Sequence, residues 1–186
     1  PYAASKAAAD HFVRAAWRTH GLPTIITHSS NNFGPRQFPE KLIPLMVLSA
    51  LARKPLPVYG DGSNVRDWYY VDDHCAALGA AVARGQPGAV YDFGGRTELT
   101  NLTLVRQLCE LVDALAPDGG PPRQSLITHV TDRLGHDRRY AIDDTRARAE
   151  LGIAPTRRFN EALGTTVRWY LNNPAWVATV VANATR

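Results

Sequence analysis

The chain has 186 residues, 45% of them hydrophobic, enough for one ordinary globular domain with a buried core and too many for wholesale disorder. Its 21 basic against 17 acidic residues give a formal net charge of +4, compatible with an anionic partner, but the arginines are spread from Arg14 to Arg186 with no basic run of five, which argues against a dedicated nucleic-acid arm. The longest apolar runs, such as Leu42 to Leu48, are too short to cross a bilayer, so no membrane partner is expected.

In chain order, Ala7 to His20 carries apolar residues at helical spacing (Ala8, Phe12, Ala15, Ala16), with Gly21 and Pro23 as stop signals. Thr24 to Thr27 reads as a short buried strand and Asn31 to Pro35 as turn chemistry. A helix follows from about Glu40 to Leu51, with Pro44 tolerable near its first turn. Leu56 to Tyr59 and Val65 to Val71 read as strands around Gly60-Asp61-Gly62-Ser63, a hairpin-like pair. Asp72 and Asp73 are expected to cap a helix from His74 to Arg84. Val90 to Phe93 is another strand, ended by Gly94 and Gly95. Further helices are expected near Thr103 to Leu115, Asp144 to Leu151 and Asn160 to Asn172, with a strand around Ile127 to Val130. Strands alternating with helices predict an α/β fold, with a soft boundary near Leu56 and no internal repeat.

Cys75 and Cys109 both fall in apolar helical segments, too few and too far apart for a disulfide framework or a zinc site, and read as two buried thiols in a reducing compartment. No metal is expected. Such thiols make a cytoplasmic location the expected default, and the opening Pro1-Tyr2-Ala3 shows no secretory pattern.

Tyr2 and Lys6 are four apart and share one helix face. An ammonium beside a phenol favours the phenolate, which can take a proton from a carbinol while hydride leaves to a nicotinamide. On spacing alone a solvated helix-face pair is the favoured reading. A dinucleotide-binding turn needs three glycines between a strand and a helix, where helix amides meet pyrophosphate. Gly60-Asp61-Gly62 continues as Ser63-Asn64-Val65, so the third glycine is missing, and no other stretch qualifies.

Longer strings carry more. Pro1-Tyr2-Ala3-Ala4-Ser5-Lys6-Ala7 resembles the active-site helix of extended short-chain dehydrogenases. Asn31 to Pro35 follows at the expected distance, then Phe38 to Pro44, Leu56 to Gly60, Val65 to Trp68, Tyr70 to His74 and Asp132 to Tyr140. Together these resemble the dTDP-glucose 4,6-dehydratases over essentially the whole chain, the Gly135-His136-Asp137-Arg138-Arg139-Tyr140 string above all.

The resemblance implies the carboxy-terminal portion of a Rossmann-like fold without its amino-terminal NAD-binding half. Residues 1–55 would be the remainder of the NAD-binding domain, and residues 56–186 mainly a nucleotide-sugar lobe. It implies NAD as cofactor, dTDP-glucose as substrate, and a homodimer formed through the Tyr2–Lys6 helix. Tyr2 would be the base and Lys6 its electrostatic partner, with Lys6 and Asn32 holding NAD. Asn31, Lys41, Leu42, Arg66, Asn101, Asp132, Arg133 and His136 would grip the nucleotide sugar, and Pro57 and Tyr59 would line the thymine pocket. The 186 residues by themselves are expected to be inactive. Two departures stand out, Leu134 where the family usually has proline, and Asp92 where it often has asparagine, placing an extra negative charge near the expected phosphates. The rival readings are a nucleotide-sugar 4-epimerase and a noncatalytic phosphate-binding module.

Overall fold

The computed structural model describes residues 1–184, which alternate between helix and strand as α1 (Tyr2–His20), β1 (Ile26–Ser29), β2 (Asn31–Phe33), α2 (Leu42–Leu51), β3 (Leu56–Tyr59), β4 (Val65–Tyr70), α3 (Val71–Arg84), β5 (Val90–Phe93), β6 (Glu98–Thr100), α4 (Asn101–Leu115), β7 (Ile127–Val130), β8 (Arg139–Tyr140), α5 (Thr145–Leu151), α6 (Phe159–Asn172) and α7 (Pro174–Ala184). This is the expected α/β protein, and its pairings are mostly parallel. Among the described residues no helix is long and apolar enough to cross a membrane.

Ile26 to Phe33 is one extended run interrupted only at Ser30. Before the break it pairs in parallel with β5, and after it with the second half of β4. The first half of β4 lies beside β6, antiparallel, and β8, parallel. Trp68, Tyr69 and Tyr70 are all buried, as expected of a strand covered on both faces rather than an alternating one. The larger core gathers Phe33, α2, β3, β4, α4 and α6, and Phe33 meets the rings of Tyr70 and Phe159 at 5.6 and 5.3 Å. Each such buried side chain contributes on the order of 1.5–3 kcal/mol. A second core under α3, β5 and α5 centres on Tyr91 and Phe93.

Two polar devices lock the frame. The carboxylate of buried Asp67 accepts the amide hydrogens of Gly95 (2.9 Å) and Thr97 (2.8 Å), holding the turn between β5 and β6 against β4. Arg123, 2% exposed, donates to the carbonyls of Ala50 and Ala116 and to Asp113 and Asp118. A buried guanidinium is tolerable only with its donors satisfied in this way.

Several sequence expectations need correction. Leu56–Tyr59 and Val65–Tyr70 do not form a hairpin, for β3 pairs in parallel with β7. The reason is β4 itself, whose buried run needs partners along both edges. Asn31 to Phe33 is strand rather than turn, because Phe33 must reach the core, and the chain turns only at Gly34 to Arg36. Asp72 and Asp73 do not cap α3, which starts at Val71. Asp73 instead accepts from the backbone and hydroxyl of Thr156, tying the α5–α6 linker to α3. Cys75 is exposed on α3, and only Cys109 is buried. The short β6 and β8 gave too few residues to show a period, and α7 was not anticipated.

Position 95 admits no side chain, since a Cβ there would fall on the Trp68 carbonyl, whereas one at Gly79 meets open space on the outside of α3. Gly95→Ala should therefore cost about 1–3 kcal/mol or more, and Gly79→Ala should gain up to roughly 1 kcal/mol. Denaturant midpoints of the two variants check this, and a Gly95→Ala protein as stable as its parent would contradict the packing.

Candidate functional site

The fold gathers most of the expected substrate residues around one cavity of about 400 Å³. Asn31 arrives on β2, Pro57 and Tyr59 on β3, Arg66 on β4, Asn101 at the head of α4, and Arg133 and His136 from the loop between β7 and β8. Lys41 and Leu42 stand at the head of α2, where the amides of Leu42 and Ile43 are left over by the helix and Pro44 has none to lose. Strand periodicity explains the selection, because Pro57 and Tyr59, or Arg66 and Trp68, share one face of their strands.

The cavity is cationic at its rim and aromatic on one wall. Arg66, half-buried, donates to the carbonyls of Val65 (2.7 Å) and Asp137 (2.9 Å), and burial pulls its pKa below the ordinary arginine value. The local ion pair that Arg66 could have made with Asp67 does not form, since Asp67 is buried and committed to the Gly95 and Thr97 amides. Lys41 is paired with Glu40 at 2.7 Å, and both are exposed. Tyr59, 41% exposed, is not a core residue, and the Arg133 guanidinium lies 5.2 Å over its ring. Oδ1 of Asn101 is buried without a protein partner, an acceptor suited to a ligand hydroxyl or amide.

The loop bearing Arg133 and His136 is internally braced. His136 lies 2.6 Å from Asp132 and 2.8 Å from Arg133, and this bond from His136 is the main reason that the Asp132 carboxyl sits below its usual range. Asp132 serves the cavity through His136 rather than by lining it. At the loop's far end Arg139 makes a two-pronged pair with Glu98 of β6, at 2.6 and 2.8 Å. Leu134, where proline was expected, is fully exposed and touches none of this.

Tyr2, Lys6 and Asn32 are not part of the cavity lining. Tyr2 and Lys6 are exposed on one face of α1, a helix that buries no residue of its own. Asn32 alternates away from Asn31, donates to Ser29 and the Ser30 carbonyl, and keeps a buried Oδ1 without a protein partner. What joins α1 to the sheet is His28 of β1, whose ring nitrogens lie 2.8 Å from Asp10 of α1 and 2.9 Å from Asp92 of β5. Asp92 therefore spends its charge on His28, which corrects the expectation that it would sit near the phosphates. Sequence reasoning missed Glu40, Leu45, Met46 and Trp68 in the lining, although each lies one or a few residues from a residue that it named. Among the described residues no group of three or more His, Cys, Asp or Glu is placed to hold a metal.

Residues 1–166 match the family described as GDP-mannose 4,6 dehydratase. The chain is 51% identical over 187 residues to a dTDP-glucose 4,6-dehydratase of Xanthomonas campestris, covering 100% of this chain and 53% of that protein. It superposes with TM-score 0.88 and 46% identity on a Streptomyces venezuelae dTDP-glucose 4,6-dehydratase solved with NAD and TYD bound, over 97% of this chain and 53% of that one. A UDP-glucose 4-epimerase of Thermotoga maritima, solved with UDP-glucose, shares the fold at TM-score 0.83 but only 26% identity, over 94% and 54% of the two chains. The chain spans about half the length of the curated relatives that it matches.

The His28 bridge has a signed pH dependence. Its bond to Asp10 raises the His28 pKa most, burial opposes, and Asp92 adds to the rise. A raised folded-state value means that the bridge stabilises fully below the unfolded value of about 6.5 and is lost as pH rises through the folded one. The melting-temperature gap between the parent and His28→Gln should be widest near about pH 6 and close on the alkaline side. A gap constant with pH would contradict the charged bridge.

Proposed function

The chain belongs to the GDP-mannose 4,6 dehydratase family, and from that premise we propose that the full-length protein carrying it is an NAD-dependent dTDP-glucose 4,6-dehydratase, a hydro-lyase making the 4-keto-6-deoxy sugar. The observation that carries this reading is the convergence of Asn31, Lys41, Leu42, Pro57, Tyr59, Arg66, Asn101, Arg133 and His136 on one cavity. Cations suit a diphosphate, and Pro57 with the Tyr59 face suits a pyrimidine ring. The Asp132 to Tyr140 string and the higher identity to dehydratases favour this over the epimerase.

NAD, when bound, supplies the hydride acceptor at C4 and later the donor at C6. The residues present fit its nicotinamide end, because Asn32 offers a buried acceptor without a protein partner and Lys6 an ammonium on the face of Tyr2. Tyr2, favoured as the phenolate by the Lys6 ammonium, takes the proton of the C4 hydroxyl and becomes the neutral phenol. The resulting ketone makes the C5 proton acidic, which permits loss of water across C5 and C6. In the family an Asp-Glu pair manages that water, and none of the strings quoted above contains it. The glycine-rich turn that would hold the NAD pyrophosphate is likewise outside these 186 residues, so by themselves they should be inactive. Residues 1–55 are read as part of the NAD-binding domain and 56–186 as mainly substrate lobe. A cytoplasmic homodimer that covers α1 completes the proposal.

In the full-length protein, Tyr2→Phe should lower turnover about 100- to 10,000-fold and leave dTDP affinity nearly unchanged, since only the hydroxyl is removed. Near-normal turnover would make Tyr2 a mere helix-face residue. Arg66→Lys should weaken dTDP binding, and Arg66→Ala should weaken it further, by about ten- to a hundredfold. Nucleotide titration of the three proteins checks this, and equal affinities would remove Arg66 from the phosphate site.

A further inference from the structure

His136 stands between two partners of opposite demand. Its Nδ1 lies 2.6 Å from Oδ1 of Asp132, and its Nε2 lies 2.8 Å from a terminal nitrogen of Arg133. A guanidinium offers only N–H donors, so Nε2 must accept with its lone pair. A carboxylate only accepts, so Nδ1 must carry the proton. The neutral Nδ1–H tautomer satisfies both partners at once. The imidazolium would keep Asp132 but turn an N–H, and a positive charge, toward Arg133.

What Arg133 gains is direction. It has few other constraints, because its side chain springs from an exposed loop and its other recorded contact is the stack over Tyr59. The His136 side chain is only 6% exposed and its ring meets the edge of Tyr59 at 6.2 Å, so the acceptor offered to Arg133 is itself well fixed. The other charged or titratable groups around this corner are Arg66 on β4, Asp137 in the same loop, and Lys41 with Glu40 at the head of α2. None of these replaces the acceptor that His136 provides.

We propose that His136 is a positioning residue, which as the neutral Nδ1–H tautomer aims Arg133 into the cavity, and that protonation of His136 frees Arg133 and weakens binding of a nucleoside diphosphate. The proposal rests on the nucleotide reading of the cavity given above. It assigns His136 an action through Arg133 rather than a direct grip, and it makes affinity fall on acidification although the site gains positive charge.

Two measurements on the full-length protein test it. The first is the ring-nitrogen NMR spectrum of His136 at mildly alkaline pH. The expected signature is a protonated Nδ1, fixed by Asp132, with a bare Nε2 whose resonance moves in Arg133→Ala as its hydrogen bond is lost. A protonated Nε2 in the parent would overturn the proposal whatever its ligand. The second is dTDP titration of the parent and of His136→Gln, whose amide oxygen can accept but does not titrate. Comparing the two at each pH cancels the titration of the nucleotide's own phosphate. Between about pH 8 and pH 5 the parent should lose roughly tenfold in affinity relative to His136→Gln. A ratio that stays level sinks the positioning role and leaves the nucleotide reading standing. Failure of the parent to bind dTDP at any pH removes both.

Discussion

Strand β4 can exist only if both its faces and both its edges are covered, and most of the architecture follows from that requirement. Its buried run Asp67 to Tyr70 has no solvent side, so helices must close over it and strands must flank it. β2 supplies one flank where the run Ile26 to Phe33 leaves β5 at Ser30, and β6 and β8 supply the others near Val65 and Arg66. The Asp67 carboxylate fixes the returning chain by its amides rather than its side chains, which is why Gly95 can lie against the Trp68 backbone. The same strand hands Arg66 to the cavity while burying its neighbour Asp67, so the core and the candidate site share one backbone.

The electrostatics divide along the same line. Cations inside the frame are matched by carboxylates and carbonyls, as Arg123 is by Asp113 and Asp118. Around the cavity the matching is looser, since Arg66 meets only carbonyls and Arg133 a ring nitrogen of His136. Only Lys41 there has a carboxylate in contact, and that pair is exposed and weak. A surface whose cations are held in place without being neutralised is what recognition of a diphosphate requires.

Much of this was legible in the sequence, for identifiable reasons. α4 and α6 were readable because their apolar stripes run over several turns, α2 because it is an apolar run of helical length, and β5 because two glycines end it. The nine cavity residues were named through the resemblance, and their meeting in space could not have been derived from spacing, since they come from five elements and a loop. The partners of β3 and β4 were not legible, because pairing depends on what else must be buried and not on the turn between them. His28 passed unnoticed as a lone histidine in a strand, and only its place opposite Asp92 and beneath Asp10 gives it a task. Asp92 misled for the same reason, its charge being visible in the sequence and its direction not.

The contrast between the two cysteines has a practical side. Burial and the nearby Asp113 carboxylate push the Cys109 thiol up to about 11, so at neutral pH it holds almost no thiolate and is walled off from reagents. Cys75 looks outward from α3 and can be reached. A maleimide dye or spin label should therefore attach at one defined point without prior mutagenesis, on a helix separate from those that line the cavity. Within these 186 residues Cys75 is thus a single handle, and with a second probe placed on α1 or in the 131–138 loop it turns their movement into a distance in solution.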